Sequence, residues 1–138
     1  MRQAFHTVTI STHGPGLYEI SAALAKFLDA EKAGDGLVTC FIRHTSASLL
    51  IQENADPDVQ KDLQTFFSHL AKNGMNYRHT EEGPDDMPSH IRSALTQTSL
   101  AIPVRQGKPA LGTWQGLYVF EHRDAPHRRD VLLHFLGS

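Results

Sequence analysis

The hydrophobic patterning of this chain predicts an α+β fold: one compact domain over residues 1–138, with a mostly antiparallel sheet and two to three helices. Three observations carry that prediction. Two stretches repeat apolar side chains at helical spacing: Ile20, Ala23, Leu24, Phe27 and Leu28, then Val59, Leu63, Phe66, Phe67 and Leu70. Short runs rich in β-branched and aromatic residues surround them and fill the second half, divided by Gly, Pro and Asp. A chain of 138 residues that is 40% hydrophobic and 20% charged is long enough to bury a core without disulfide or metal staples.

In chain order, Phe5 to Ser11 reads as a strand and His13-Gly14-Pro15-Gly16 as a turn. Glu19 to Lys32 reads as a helix that Gly34-Asp35-Gly36 stops. Leu37 to Arg43 carries apolar residues on both strand faces, the pattern of a central strand covered on both sides. Leu49 to Glu53 is a second short strand. Asp56 reads as an N-cap with Pro57 at the first helical position, opening a helix with a buried stripe that ends near Asn73-Gly74. Residues 75 to 88 form a long loop holding Glu81, Glu82, Asp85 and Asp86, and a long loop in a small domain points to function. Ser89 is expected to cap a short helix through about Gln97. Strands are expected at Leu100 to Val104, Leu111 to Thr113, Leu117 to His122 and Val131 to Leu136.

The formal net charge is -2 and no basic block occurs, so neither a nucleic acid nor a membrane surface is an expected partner. Cys40 is the only cysteine, which rules out an intrachain disulfide. With no signal-like start and no apolar run approaching ~20 residues, a cytoplasmic location is expected.

Chemistry concentrates in His44-Thr45-Ser46-Ala47 and Glu53-Asn54-Ala55-Asp56-Pro57-Asp58, polar runs set among apolar ones where unpaired polar groups are costly. Three of nine histidines stand apart by context: His44 at the end of a central strand, His79 in the acidic loop, and His90 early in the following helix. Three imidazoles with an open position make a familiar catalytic zinc arrangement, although this spacing is not a local motif. Glu53 shares strand parity with Leu49 and Ile51, so it is expected to face the covered side. There its partner is a cationic substrate, a histidine, or backbone at the strand end. Asp56 and Asp58 suit helix capping. Asp85 and Asp86 read as a solvated loop face, although both approach His90 in sequence and could supply a ligand to a metal or to magnesium. Trp114, flanked by Gly112 and Gly116, offers a ring face for stacking a cationic ring or, alternatively, packs in the core. Glu121, His122 and Arg123 end a strand. Arg123 is a candidate for bidentate phosphate binding, and Arg128 and Arg129 suit solvated turn charges. Ser46 and Ser48 lack a nucleophile elbow, Cys40 suits a small buried residue, and no glycine-rich phosphate loop occurs.

Taken in order, the two runs above, Tyr77-Arg78-His79, Pro88-Ser89-His90-Ile91, and Leu111-Gly112-Thr113-Trp114-Gln115-Gly116 with Glu121 resemble the YjbQ-like family of small proteins, described as secondary thiamine-phosphate synthases. The resemblance spans nearly the whole chain. It implies a homotrimer with sites near the subunit contacts, and a polar pocket in which His44, His79 and His90 hold a metal. The implied activity joins hydroxymethylpyrimidine diphosphate to thiazole phosphate and releases pyrophosphate. On that reading His44, Glu53, Asp86, Trp114 and Glu121 are catalytic candidates, and Thr45, Ser46, Asn54, Gln115 and Arg123 bind the phosphorylated substrate. Three imidazoles suit zinc or another transition metal, whereas a diphosphate substrate usually brings magnesium. Two other functions fit the same residues. One is a metal-dependent hydrolase of a small phosphorylated or amide substrate, with Glu53 or Asp86 activating water. The other is a non-catalytic trimer that binds a metal or metabolite.

Overall fold

A computed structural model describes all 138 residues. The chain runs β1 (Arg2–Thr12), β2 (Gly16–Glu19), α1 (Ser21–Ala30), β3 (Gly36–Ile42), β4 (Ala47–Glu53), α2 (Pro57–Leu70), α3 (Asp86–Leu95), β5 (Ser99–Arg105), β6 (Lys108–Pro109), β7 (Gln115–Glu121) and β8 (His127–Gly137). The strands form two antiparallel sheets, one of five strands in the order β1-β8-β3-β5-β6 and one of three in the order β2-β7-β4. The expected α+β architecture, with three helices, is the observed one.

The core joins the inward residues of both sheets to Leu24, Phe27 and Leu28 of α1. Alternation on β8 states the sheet's geometry: Val131, Leu133 and Phe135 are buried, while Leu132, His134 and Leu136 lie on the other face. β1 pairs with β8 along its whole length, from Arg2 opposite Gly137 to Thr12 opposite His127. Gly36 and Gly137 face each other across β3 and β8, and a Cβ on either would stand 2.3 Å from a backbone oxygen, so this crossing admits only glycine.

Several expectations are corrected. The helix read from Glu19 begins at Ser21, because Gly16–Glu19 pairs with β7 as a strand. β3 is central, but only one face is covered: Leu37 is 41% and Phe41 44% exposed, beside Phe5 at 58%. Asp56 does cap α2, accepting from the Asp58 N–H at 2.9 Å with Pro57 in the first turn. The α2 stripe, however, is not buried: none of its residues is, and Phe66 and Leu70 are exposed. Phe67 alone makes an aromatic contact inward, its ring edge-on to Phe120 at 5.4 Å. The helix stops at Leu70, short of Asn73-Gly74, where Arg92 donates to the Ala71 carbonyl at 2.6 Å. Ser89 is not a cap. The third helix starts at Asp86, and Ser89 lies buried within it, its hydroxyl shared between the Asp85 and His122 carbonyls at 2.6 and 2.9 Å. Leu111 to Thr113 is not a strand; the short β6 precedes it, and Gln115 begins β7.

His122 is the polar exception in the core, 1% exposed, with Nε2 2.9 Å from Ser48 Oγ and Nδ1 without a partner. Burial pushes its pKa from 6.5 down to about 3, with Arg92 adding to the effect. The imidazole is therefore neutral when folded, whereas the unfolded chain takes up its proton below about pH 6.5. Its contribution to stability is complete above that pH and declines by roughly 1.4 kcal/mol per unit as pH falls toward the folded value. Urea denaturation at pH 7.5 and pH 5 is expected to show this acid loss, and His122→Gln to flatten it. An equal slope in the variant would remove His122 as the cause.

Candidate functional site: a histidine–carboxylate cluster

The α2–α3 connection and the first two turns of α3 bring His79, Glu82, Asp86 and His90 together, with one donor atom from each lying within 4.8 Å of the others. Asp86 and His90 are one helical turn apart and so share a face. Asp86 is 2% exposed and divides its two oxygens. Oδ2 meets His79 Nε2 at 2.6 Å and His90 Nε2 at 3.0 Å, while Oδ1 accepts from Arg123 Nη1 at 2.8 Å. His90 Nδ1 donates to the Thr45 carbonyl at 2.8 Å. That contact holds the ring by a backbone acceptor and leaves Nε2 as the atom turned toward the Asp86 carboxylate, the posture of a metal-ligating imidazole. Glu82 stands at the edge, 3.4 Å from His79 Nε2, with its side chain 64% exposed.

Arg123 holds the cluster from behind. Its Nε donates to Asp85 Oδ2 at 2.9 Å and its Nη2 to the Glu82 carbonyl at 2.9 Å. Burial would raise the Asp86 pKa, but the His79 hydrogen bond and the charges of His90 and Arg123 outweigh it and hold the carboxyl below its usual range. The His79 pKa is raised, chiefly by its hydrogen bond to Asp86.

Beside the cluster lies a cleft of about 260 Å³ lined by His44, Thr45, His90, Ser93, Ala94 and Thr98. His44 borders this cleft but does not join the cluster, which corrects its place among the three ligands. Its Nε2 accepts from the Asp130 N–H at 2.9 Å, and Nδ1 faces Arg129 Nη1 at 3.4 Å. Burial, then the Arg129 charge, lowers its pKa.

The other predicted residues divide. Thr45 and Arg123 are at this end of the molecule, as is Asp86, which is buried and not solvated; Asp85, 7% exposed, is likewise buried. Ser46 is 8% exposed and accepts from Arg129 Nη2 at 3.1 Å. Glu121, expected among the catalytic groups, is 0% exposed with both oxygens engaged. Oε1 accepts from Thr12 at 2.5 Å and Arg129 Nε at 2.7 Å; Oε2 accepts from Arg129 Nη2 at 2.5 Å. Arg129 is therefore a buried ion-pair partner rather than a solvated turn charge. Glu53, Asn54, Trp114 and Gln115 lie at the far end of β4 and β7, about 20 Å along the strands. There Glu53 accepts from the Asp56 N–H at 2.9 Å, Asn54 donates to the Gln115 carbonyl at 3.4 Å, and Gln115 accepts from the Gly112 N–H at 2.8 Å. Trp114 is 63% exposed, so it is not core packing. Glu82, one of the acidic residues of the long loop, joins the cluster from irregular backbone, so no periodicity in the sequence marks it.

An α+β domain of two antiparallel sheets, with a two-histidine, two-carboxylate cluster where the α2–α3 connection meets α3, defines the class. Residues 6–138 match the family described as UPF0047 protein YjbQ-like. A UPF0047 protein of Synechocystis sp. is 50% identical over 138 residues, covering 99% of this chain and 94% of that one. The UPF0047 protein YjbQ of Escherichia coli O157:H7 is 42% identical over 133 residues, covering 96% of each. Among solved structures, an uncharacterized conserved protein of the YjbQ/UPF0047 family from Clostridium acetobutylicum superposes with a TM-score of 0.88 at 31% identity, covering 95% of this chain and 99% of that one. The chain belongs to the UPF0047 YjbQ-like family. No helix in it is long and apolar enough to cross a membrane.

Glu121 and Arg129 test separately as a structural pair. Glu121→Gln is expected to lower stability by about 3–5 kcal/mol, because it leaves a guanidinium buried without its counter-charge. Glu121→Leu/Arg129→Met is expected to cost much less. Equal losses in chemical denaturation would show that the pairing itself is not what the site requires.

Proposed function

We propose that the chain is a metal-dependent hydrolase of a small phosphorylated substrate, with His79, Asp86 and His90 as the ligands of a divalent transition metal such as zinc. The observation that supports this is Asp86 Oδ2, set between two imidazole Nε2 atoms while Arg123 occupies the other oxygen. Two imidazoles and a carboxylate suit zinc, iron or nickel better than magnesium. Bound there, such a metal supplies Lewis acidity and an activated water. Glu82 is the general base: of the two carboxylates in the group it is the one left exposed to solvent. The cleft walls, His44 and Thr45 included, receive the substrate.

Thiamine-phosphate synthesis is the second reading, favoured by the free indole face of Trp114. It requires Trp114 and Glu53 near the cluster, and within one chain they stand at the opposite end of the three-stranded sheet. A second copy would have to supply them. A homotrimer is part of this proposal. Its support is the uncovered face of the five-stranded sheet, where Phe5 stacks on His134 and Leu37 lies beside Leu136.

Elemental analysis of untagged protein is expected to find about one transition metal per chain, lost in Asp86→Asn and in His90→Ala. Glu82→Gln is expected to keep the metal while lowering p-nitrophenyl phosphate turnover by about 10²-fold. Thiamine phosphate formed from the two precursors, with no ester hydrolysis, would favour the second reading. A chain that takes up no metal after reconstitution overturns both metal-based roles. For the assembly, Phe41→Glu is expected to convert a three-chain species to monomer in analytical ultracentrifugation. A wild-type monomer would refute it.

A further inference from the structure

The second half of α2, the outward side of α3 and the β7–β8 turn enclose an open cavity of about 480 Å³ with no hydrophobic residue in its lining. Its size is that of a small-ligand site, and apart from Pro15 of the β1–β2 turn its lining side chains are polar. Lys72 and Arg92 supply two positive charges, and neither forms an ion pair anywhere in the chain. Arg92 commits one donor to the Ala71 carbonyl, and its Nε is buried without a partner, so the outer guanidinium nitrogens are what it offers a ligand. A guanidinium presents five donors in a fixed fork, so most of its capacity is unspent. Across the lining stand Gln64, Asn73 and Asp124, whose amides and carboxylate make no side-chain hydrogen bond and suit hydroxyl groups. Asp124 is held in place through its backbone, which donates to Asp85 Oδ2 at 2.9 Å.

We propose that this cavity binds a small phosphorylated polyol, with the phosphate on Lys72 and Arg92 and the hydroxyls toward Asp124, Gln64 and Asn73. Asp124 decides the class: a carboxylate in the wall opposes a bare multivalent anion, whereas it accepts hydrogen bonds from an adjacent hydroxyl. The site is separate from the histidine–carboxylate cluster. Arg92 is two residues beyond His90 on α3, a spacing that turns it away from the face His90 shares with Asp86. The inference therefore stands whether or not the proposed hydrolase reading does.

The test is calorimetric titration of the full chain in chelator, with glycerol 3-phosphate, inorganic phosphate and glycerol as probes, and amide shifts followed by NMR. Saturable binding of glycerol 3-phosphate is expected, tighter than inorganic phosphate, with none for glycerol and with shifts at Lys72 and Asn73. Lys72→Met, at an exposed position, is expected to weaken it about tenfold, and Asp124→Asn to abolish the preference over inorganic phosphate. His90→Ala should bind as wild type. No saturation by about 10 mM, equal affinity in Lys72→Met, or loss in His90→Ala would each overturn the proposal. A preference for inorganic phosphate would reduce the site to an anion hole and overturn the polyol assignment.

Discussion

The buried Glu121–Arg129 pair is the constraint on which this end of the molecule depends. Glu121 closes the three-stranded sheet and Arg129 opens the last strand of the five-stranded one, so their charges join the two sheets in the dry interior. Burial alone would raise the Glu121 pKa; Arg129 and Thr12 reverse that and hold it below the ordinary carboxylate range. Its Oε2 also accepts the backbone N–H groups of His122 and Arg123 at 3.0 and 3.2 Å. The same carboxylate thus sets the backbone path from which Arg123 reaches Asp85 and Asp86, and Arg129 reaches on to Ser46 and His44. A residue without access to solvent determines where the exposed chemistry stands.

Asp86 is the meeting point of that scaffold with the cluster. Because its two oxygens are divided between a fixed guanidinium and two imidazoles, neither His79 nor His90 can rotate toward it freely; the carboxylate orients them. Glu82, Thr45 and the cleft wall then surround a position reached from solvent. The connection between α2 and α3 can hold such a site because its polar groups are satisfied by Arg123 and by Tyr77, which donates to the Lys72 carbonyl, rather than by regular structure.

Local physics was legible in the sequence and nonlocal pairing was not. The Asp56–Pro57 helix start, the α1 stripe and the alternating strands follow from dihedral preference and period, which act within a few residues. Asp85 and Asp86 read as solvated because their counter-charge, Arg123, lies nearly forty positions on. Arg129 reads as a solvated turn charge for a different reason: its carboxylate is only eight positions away but belongs to the other sheet, and nothing local shows that the two sheets bury the pair. The α2 stripe met the amphipathic template, yet the template records that a face is apolar and not what covers it. For the site, context singles out His44, His79 and His90, with Asp86 only a neighbour of His90; the structure gathers His79, His90, Asp86 and Glu82, while His44 finds backbone and Arg129 first.

The full-length pairing of β1 with β8 also orders events during synthesis. β1 has its neighbour far along the chain, Val8 lying opposite Val131, and β3 borders that same later strand. Until residues 127–137 emerge, the growing chain carries open strand edges with Val8, Val38 and Cys40 uncovered. Closure is then a long-range event, slow by topology and exposed to mispairing with other nascent chains. The topology therefore places the open edges in the incomplete chain, whereas pairing with β8 covers one edge of both β1 and β3 once the fold has closed.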